Sequence, residues 1–176
     1  MPVERPATIS QEAAAELFVL LRVQAHIPFD YPDDCCYSRA HEMCKIMRSK
    51  SVIAQKVWNY CDGFPGGAGL MVETPNHPGG FVNWRYHVAP VVRVAQFRLW
   101  FLAWNVSLMV IDPSLFDKPV SIREWVTKQN DDRATHEVSE DRIYFREPGG
   151  ANFELDDDHS DTATTLNSHT LLRDLR

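Results

Sequence analysis

The chain lacks any apolar run long and clean enough to span a membrane. Its best stretch, residues 99–111, is short and holds Asn105 and Ser107. It also lacks an excess of positive charge. Its 18 Lys and Arg face 24 Asp and Glu, a formal charge of -6. That balance argues against nucleic acid as the main partner and leaves a basic protein open. There is no CxxC pair among Cys35, Cys36, Cys44 and Cys61. A bond between adjacent Cys35 and Cys36 is strained, and a chain of 176 residues needs no staples. Residues 11–21 are apolar, but Glu12 and Glu16 interrupt them. No basic segment or cleavage site accompanies them, so they do not read as a signal peptide. The chain is still compatible with being the mature part of a longer precursor. No repeat or linker divides it, so residues 1–176 are expected to form one domain.

What is present reads as helix, helix, then strands. Ser10 is placed to cap a helix to about Val23, with Ala13, Ala14, Leu17, Phe18 and Leu21 on one face. HIPFDYPDDCC, with two prolines and three aspartates, is an extended loop. A second helix is expected from Cys36, capped by Asp33 or Asp34. Cys36, Ala40, Met43 and Met47 share one of its faces. Residues 52–60, 70–73, 84–94 and 99–111 are strand-like. Ser121 and Glu124 have capping-box spacing for a short helix to about Lys128. Residues 142–146 suggest a further strand. Residues 160–176 suggest a helix with Leu166, Leu172 and Leu175 inward. This order implies an α+β fold with a helix packed on an antiparallel sheet. The tail from 147 onward is the least determined part.

Three residues can carry chemistry. Cys36 stands where a loop meets a helix N-terminus. Unpaired N–H groups and the helix dipole there favour a thiolate and an oxyanion. A small apolar residue on a buried face explains the position equally well. His87, in WRYHVAPVVRV, lies within a strand, where a histidine is more often structural. Asp112 ends LMVID and equally suits an Asp-Pro-Ser turn. Together they fit one scheme, in which His87 takes the thiol proton and Asp112 orients the imidazole.

DDCCYSRAHEM, NWRYHVAPVV and VIDPSLF resemble three segments of the bacterial protein-glutaminase family. In that family the nucleophilic Cys is followed by Tyr and an Arg-Ala-His run on the same helix. The catalytic His precedes Val-Ala-Pro-Val-Val, and the catalytic Asp precedes Pro-Ser. The resemblance covers residues 28–116 and assigns these roles to Cys36, His87 and Asp112. Tyr37, Arg39 and His41 fix the register. There are departures. Cys35 stands where the family pattern has Gly, which puts a second thiol at the site. The segment between His87 and Asp112 is long and apolar, as if a hairpin were extended.

The resemblance implies a papain/transglutaminase-like fold. It also implies hydrolytic deamidation of protein or peptide glutamine through a thioester, without metal or organic cofactor. Asn83, Trp84 and Cys35 are candidates for substrate or oxyanion contacts. Family members carry an inhibitory pro-region, so such a segment or an immunity partner is an expected partner. Secretion is favoured over the cytoplasm. A transglutaminase or a cysteine peptidase would use the same triad. A deamidase dedicated to one host protein, as in a toxin or effector, and a non-enzymatic binding module are further alternatives. Cys35, Cys36, His41 and Cys44 match no zinc-ligand spacing, and residues 156–161 lack the Gly and distal Glu of an EF-hand. The latter read as a solvated acidic stretch, His41 as a packing residue, and Arg39 as a carboxylate partner or a surface charge.

Overall fold

The computed structural model describes residue 6, residues 8–98 and residues 103–176. Helix α1 (Gln11–Arg22) starts at Ser10, whose hydroxyl accepts the Ala13 N–H at 3.1 Å. This satisfies one of the amides that a helix start leaves unpaired. The helix buries Ala14, Leu17, Phe18 and Leu21, the stripe expected of a helix lying on a core. Helix α2 (Cys36–Ser49) buries Cys36, Ala40, Met43 and Met47, and beside them Ser38, Arg39 and His41. Its polar residues therefore need internal partners.

Both helices pack on a sheet built around one long strand. Strand β1 (Thr8–Ser10) runs parallel to β5 (Tyr86–Arg98). Strands β2 (Gln55–Tyr60) and β6 (Ala103–Val110) flank β5 antiparallel, and β7 (Val120–Ser121) and β8 (Thr135–Glu140) complete the order β7-β6-β5-β2-β8. The strand alternation of β5 separates two cores. Val92 and Val94 meet Phe18, Leu21, Met43 and Met47 on one face. Ala89 and Val91 meet Val57, Val110 and Trp125 on the other. Emptying such a position, as in Phe18→Ala, costs about 3–5 kcal/mol. Two hairpins stand apart from the sheet: β3 (Leu70–Glu73) with β4 (Phe81–Trp84), and β9 (Ile143–Arg146) with β10 (Phe153–Leu155). Helix α3 (Ile122–Thr127) is capped by Ser121, which accepts the Glu124 N–H. Helix α4 (Ser160–Asp174) ends the described chain and packs against α2.

Several expectations need correction. The strand expected over 84–94 is two strands that break at Arg85, so Trp84 belongs to β4 and His87 to β5. The strand expected over 52–60 begins only at Gln55. Of the stretch 99–111, residues 99–102 lie outside the described residues, and β6 covers 103–110. In α4 only Leu166 of the three expected leucines is inward. Leu172 is 47% exposed and Leu175 83%, and the last turns reach the loop before α2 through Arg173 to Asp30 and Arg176 to Asp33 instead. The acidic stretch is not simply solvated. Asp156 is buried, and its carboxylate accepts from Asp161 N, Thr162 N and the Thr162 hydroxyl, capping α4.

Candidate active site

Cys36 is the first residue of α2, and the helix cap before it is Cys35, not an aspartate. Cys35 takes a left-handed conformation, φ 62, with its thiol and side chain fully buried. Asp34 turns back to accept the Cys35 N–H at 2.7 Å, so it caps the loop rather than the helix. The Arg39 guanidinium reaches the Cys35 sulfur at 3.4 Å and donates to the carbonyls of Tyr31 and Asp34 at 3.0 and 2.8 Å. Arg39 is therefore a buried clamp on the loop, neither a carboxylate partner nor a surface charge.

The Cys36 side chain packs among Ala40, Trp58, Tyr60 and Val88, with Tyr37, Phe64 and Tyr86 beside it. The Val88 backbone N–H lies on the side of the sulfur where it favours the thiolate. Burial pushes the Cys36 thiol up to about 12, against the opposing pull of Arg39 and of the Val88 N–H. Helix-terminus reasoning predicts the opposite direction. Desolvation of the charged sulfur outweighs it here.

One residue before Val88, His87 donates or accepts through Nε2 to Asp112 Oδ2 at 2.8 Å. Both are buried, at 1% and 2% exposure. The same carboxylate oxygen accepts the Trp125 indole N–H at 2.8 Å. Its other oxygen accepts the Ser114 N–H at 3.2 Å and the Ser114 hydroxyl. Burial acts to raise the Asp112 pKa, but the His87 charge and the bonds from His87, Ser114 and Trp125 outweigh it. The carboxyl is held at about 2. An ionised Asp112 makes Nε2 the donor, which leaves Nδ1 with the lone pair in a neutral ring. Nδ1 is buried and has no hydrogen-bond partner among the described residues. The ring stacks on Trp84 at 4.4 Å between centroids and lies 5.4 Å from the Trp125 ring.

A family model described as Glutaminase, of the glutamine-deamidase type, matches residues 9–129. The chain belongs to this glutaminase family. Among solved structures, a mutant of pro-protein-glutaminase is similar at TM-score 0.79 and 23% identity, covering 97% of this chain and 61% of that one. The chain thus spans about three fifths of that pro-form. Protein-glutaminase from Chryseobacterium proteolyticum is similar at 0.77 and 24%, covering 96% and 91%. A further protein-glutaminase structure gives 0.74 and 22%, covering 93% and 91%. The mixed α/β fold with its antiparallel sheet is that of these structures. A search of curated proteins finds no significant match.

Within this glutaminase-family fold, His87, Asp112 and Trp84 are brought together. Asn83 is not with them. It alternates to the opposite side of β4, where its amide donates to Ala68 O at 3.1 Å. Gly69, at φ +99, leaves the space that this amide fills. The Trp84 indole N–H is taken by Pro32 O at 2.8 Å, so Trp84 offers the site its ring face. The Cys35 thiol is engaged by Arg39. Sequence reasoning missed Ser114 and Trp125. An Asp-Pro-Ser turn whose Ser bonds back to Asp was legible in principle. Trp125 gave no local signal, since it reaches Asp112 only through tertiary packing.

Proposed function

We propose that the chain hydrolyses the side-chain amide of glutamine in proteins or peptides, with Cys36 as nucleophile, His87 as base and acid, and Asp112 as the group that orients the imidazole. The observation that carries this reading is the His87 ring. Nε2 is tied to an ionised Asp112, while Nδ1 is buried without a partner among the described residues, one position before Val88, which packs against Cys36. Catalytic hydrogen bonds are often made only when substrate is bound. A helix-borne Cys, a strand-borne His and an Asp just past the neighbouring strand fit the arrangement of papain-like and transglutaminase-like enzymes.

In this scheme His87 Nδ1 takes the thiol proton as Cys36 Sγ attacks the γ-carboxamide carbon. The amide oxygen takes the negative charge, facing the N–H groups at the start of α2, which precede the first intrahelical bond. The imidazolium returns its proton to the nitrogen, the C–N bond breaks, and ammonia leaves a γ-glutamyl thioester. His87 then deprotonates water, which attacks the thioester. Collapse releases glutamate and returns the proton to sulfur. Cys36 keeps the largest exposure of the three, 7%, as the group that must meet substrate. The described domain is proposed to be the whole catalytic unit. Because two of the similar structures are pro-forms, an inhibitory pro-region is proposed as its partner.

The test is ammonia release from a glutamine-rich protein, with product mass. Deamidation adds about one dalton per event, because NH becomes O. Crosslinked chains would instead mark a transglutaminase, and cut chains a peptidase. Cys36→Ala and His87→Ala should each abolish release. Wild-type rates in both variants end the reading.

A further inference from the structure

We propose that His41, Asp156 and His159 bind a divalent transition-metal ion of the zinc type, which ties α2 to the segment that starts α4. One ligand atom from each of the three lies within 4.8 Å of the others. Around tetrahedral zinc, ligand atoms stand about 3.3–3.5 Å apart, so shifts of about 1 Å close the set. Two imidazoles and one carboxylate are a donor set that zinc accepts, with a remaining position for water.

His159 and Asp156 have capacity left, and His41 would exchange one existing contact for the metal. His159 Nδ1 is buried and has no hydrogen-bond partner among the described residues. The His41 and His159 rings stand 4.4 Å apart between centroids. Asp156 Oδ1 accepts one amide, from Asp161, which leaves lone pairs directed elsewhere. His41 Nδ1 is held by Lys56 Nζ at 2.8 Å, and its Nε2 faces the Asp156 carbonyl at 3.2 Å. A metal on Nε2 leaves the Lys56–His41 contact with one proton fewer, which goes to solvent.

A cavity of about 260 Å³ adjoins the cluster, lined by His41, His159, Cys44 and Asp157 among others. It gives a metal an entry path and room for its water. The cations at its rim already have acidic partners: Lys45 pairs with Glu42, Arg48 with Asp141, and Arg142 with Glu140. The site is separate from the triad, since His41 lies a turn and more along α2 from Cys36.

The experiment uses the full chain carrying Cys36→Ala, so that the catalytic thiol and His87 do not themselves capture zinc. Zn²⁺ is titrated calorimetrically into chelator-treated protein. One ion per chain should bind more tightly than about 10 μM. The melting temperature should rise by roughly 5–10 °C when free Zn²⁺ is about 100 times Kd. His159→Asn, which suits the left-handed backbone at φ 59, should weaken binding at least about 10-fold. Independently of any variant, Zn²⁺ should protect His41 and His159 from acylation by diethylpyrocarbonate in peptide mapping. Binding no tighter than about 1 mM, unchanged affinity in a folded His159→Asn, or unprotected histidines overturns the proposal.

Discussion

The indole N–H of Trp125 donates to the Asp112 oxygen that also meets His87, each at 2.8 Å. Two residues from separate elements thus converge on one buried carboxylate oxygen. Ser114 serves the other oxygen with both its amide and its hydroxyl. A carboxylate at this depth would be costly if unpaired. Here every lone-pair direction that matters is used, so the group stays ionised and fixes the tautomer of His87.

Trp125→Phe tests the convergence. It keeps the ring in the core formed by Val57, Ala89 and Val91 but removes one bond to a charged oxygen. The expected cost is about 1.5–3 kcal/mol in denaturant unfolding. A fall of roughly 10-fold in the rate of ammonia release should accompany it, through looser aim of His87. Asp112→Asn should fall much further, about 10⁴-fold, because a neutral amide no longer enforces the tautomer of His87 or stabilises its imidazolium. A Trp125→Phe protein with wild-type rate and stability would show that the bond is incidental.

The depressed pKa of Asp112 sets a pH window. Its ordinary value is 3.8 and its folded value about 2. A lowered folded pKa stabilises fully above the unfolded value and loses that contribution as pH falls through the folded one. The stabilisation is about 2 kcal/mol. Unfolding of wild type and Asp112→Asn followed from pH 5 to pH 2 should therefore converge as the pH falls. A constant gap across the window would mean that Asp112 is not the group that titrates.

Cys35 and Cys36 are separable by substitution. Cys35 sits at φ 62, where a side chain is strained and glycine is not. Its thiol faces Arg39. Cys35→Gly relieves backbone strain of about 1–2 kcal/mol and gives up a comparable burial of the thiol, so stability should change little. Ammonia release should stay within about 3-fold of wild type, whereas Cys36→Ala removes it. A dead Cys35→Gly beside an active Cys36→Ala would move the nucleophile by one residue.

The parts of this site that the sequence made legible are those with local signals. Ser10 and Ser121 announce helix starts by their spacing to the amides they cap. Cys36, His87 and Asp112 stood out through flanking strings, not through anything in their own positions. Strand β8, THEVSE, was invisible because its residues are mostly polar and it lies at the edge of the sheet. The break at Arg85 was hidden because apolar residues continue across it. Arg39 and Asp156 were misread for one reason. Charged residues are rarely buried, and their backbone partners, 5 to 8 residues away for Arg39, leave no pattern in composition. Trp125 and Ser114 could be assigned to Asp112 only once the chain was folded.

Lys56 gives the last test. It is the second residue of β2, fully buried, with its amine on His41 Nδ1 at 2.8 Å and on the Ile143 carbonyl at 2.5 Å. No carboxylate is in direct contact among these bonds. Burial lowers its pKa from 10.5 to about 8, while Cys44, Asp141 and Asp156 act in the other direction. For a lysine with a lowered folded pKa, the unfolded chain binds more protons between the two values. Stability therefore rises with pH across that interval through this group. The size is at most a few kcal/mol. Buried tyrosines and cysteines, whose pKa values are raised, pull the opposite way above pH 9, so the signal is a difference between two proteins. Lys56→Met keeps the length of the side chain and removes the titration. The stability of wild type relative to Lys56→Met should climb from pH 8 to pH 10.5 in chemical unfolding. If it is flat, the folded amine is not depressed by burial and stays charged across the interval, as it is in the unfolded chain.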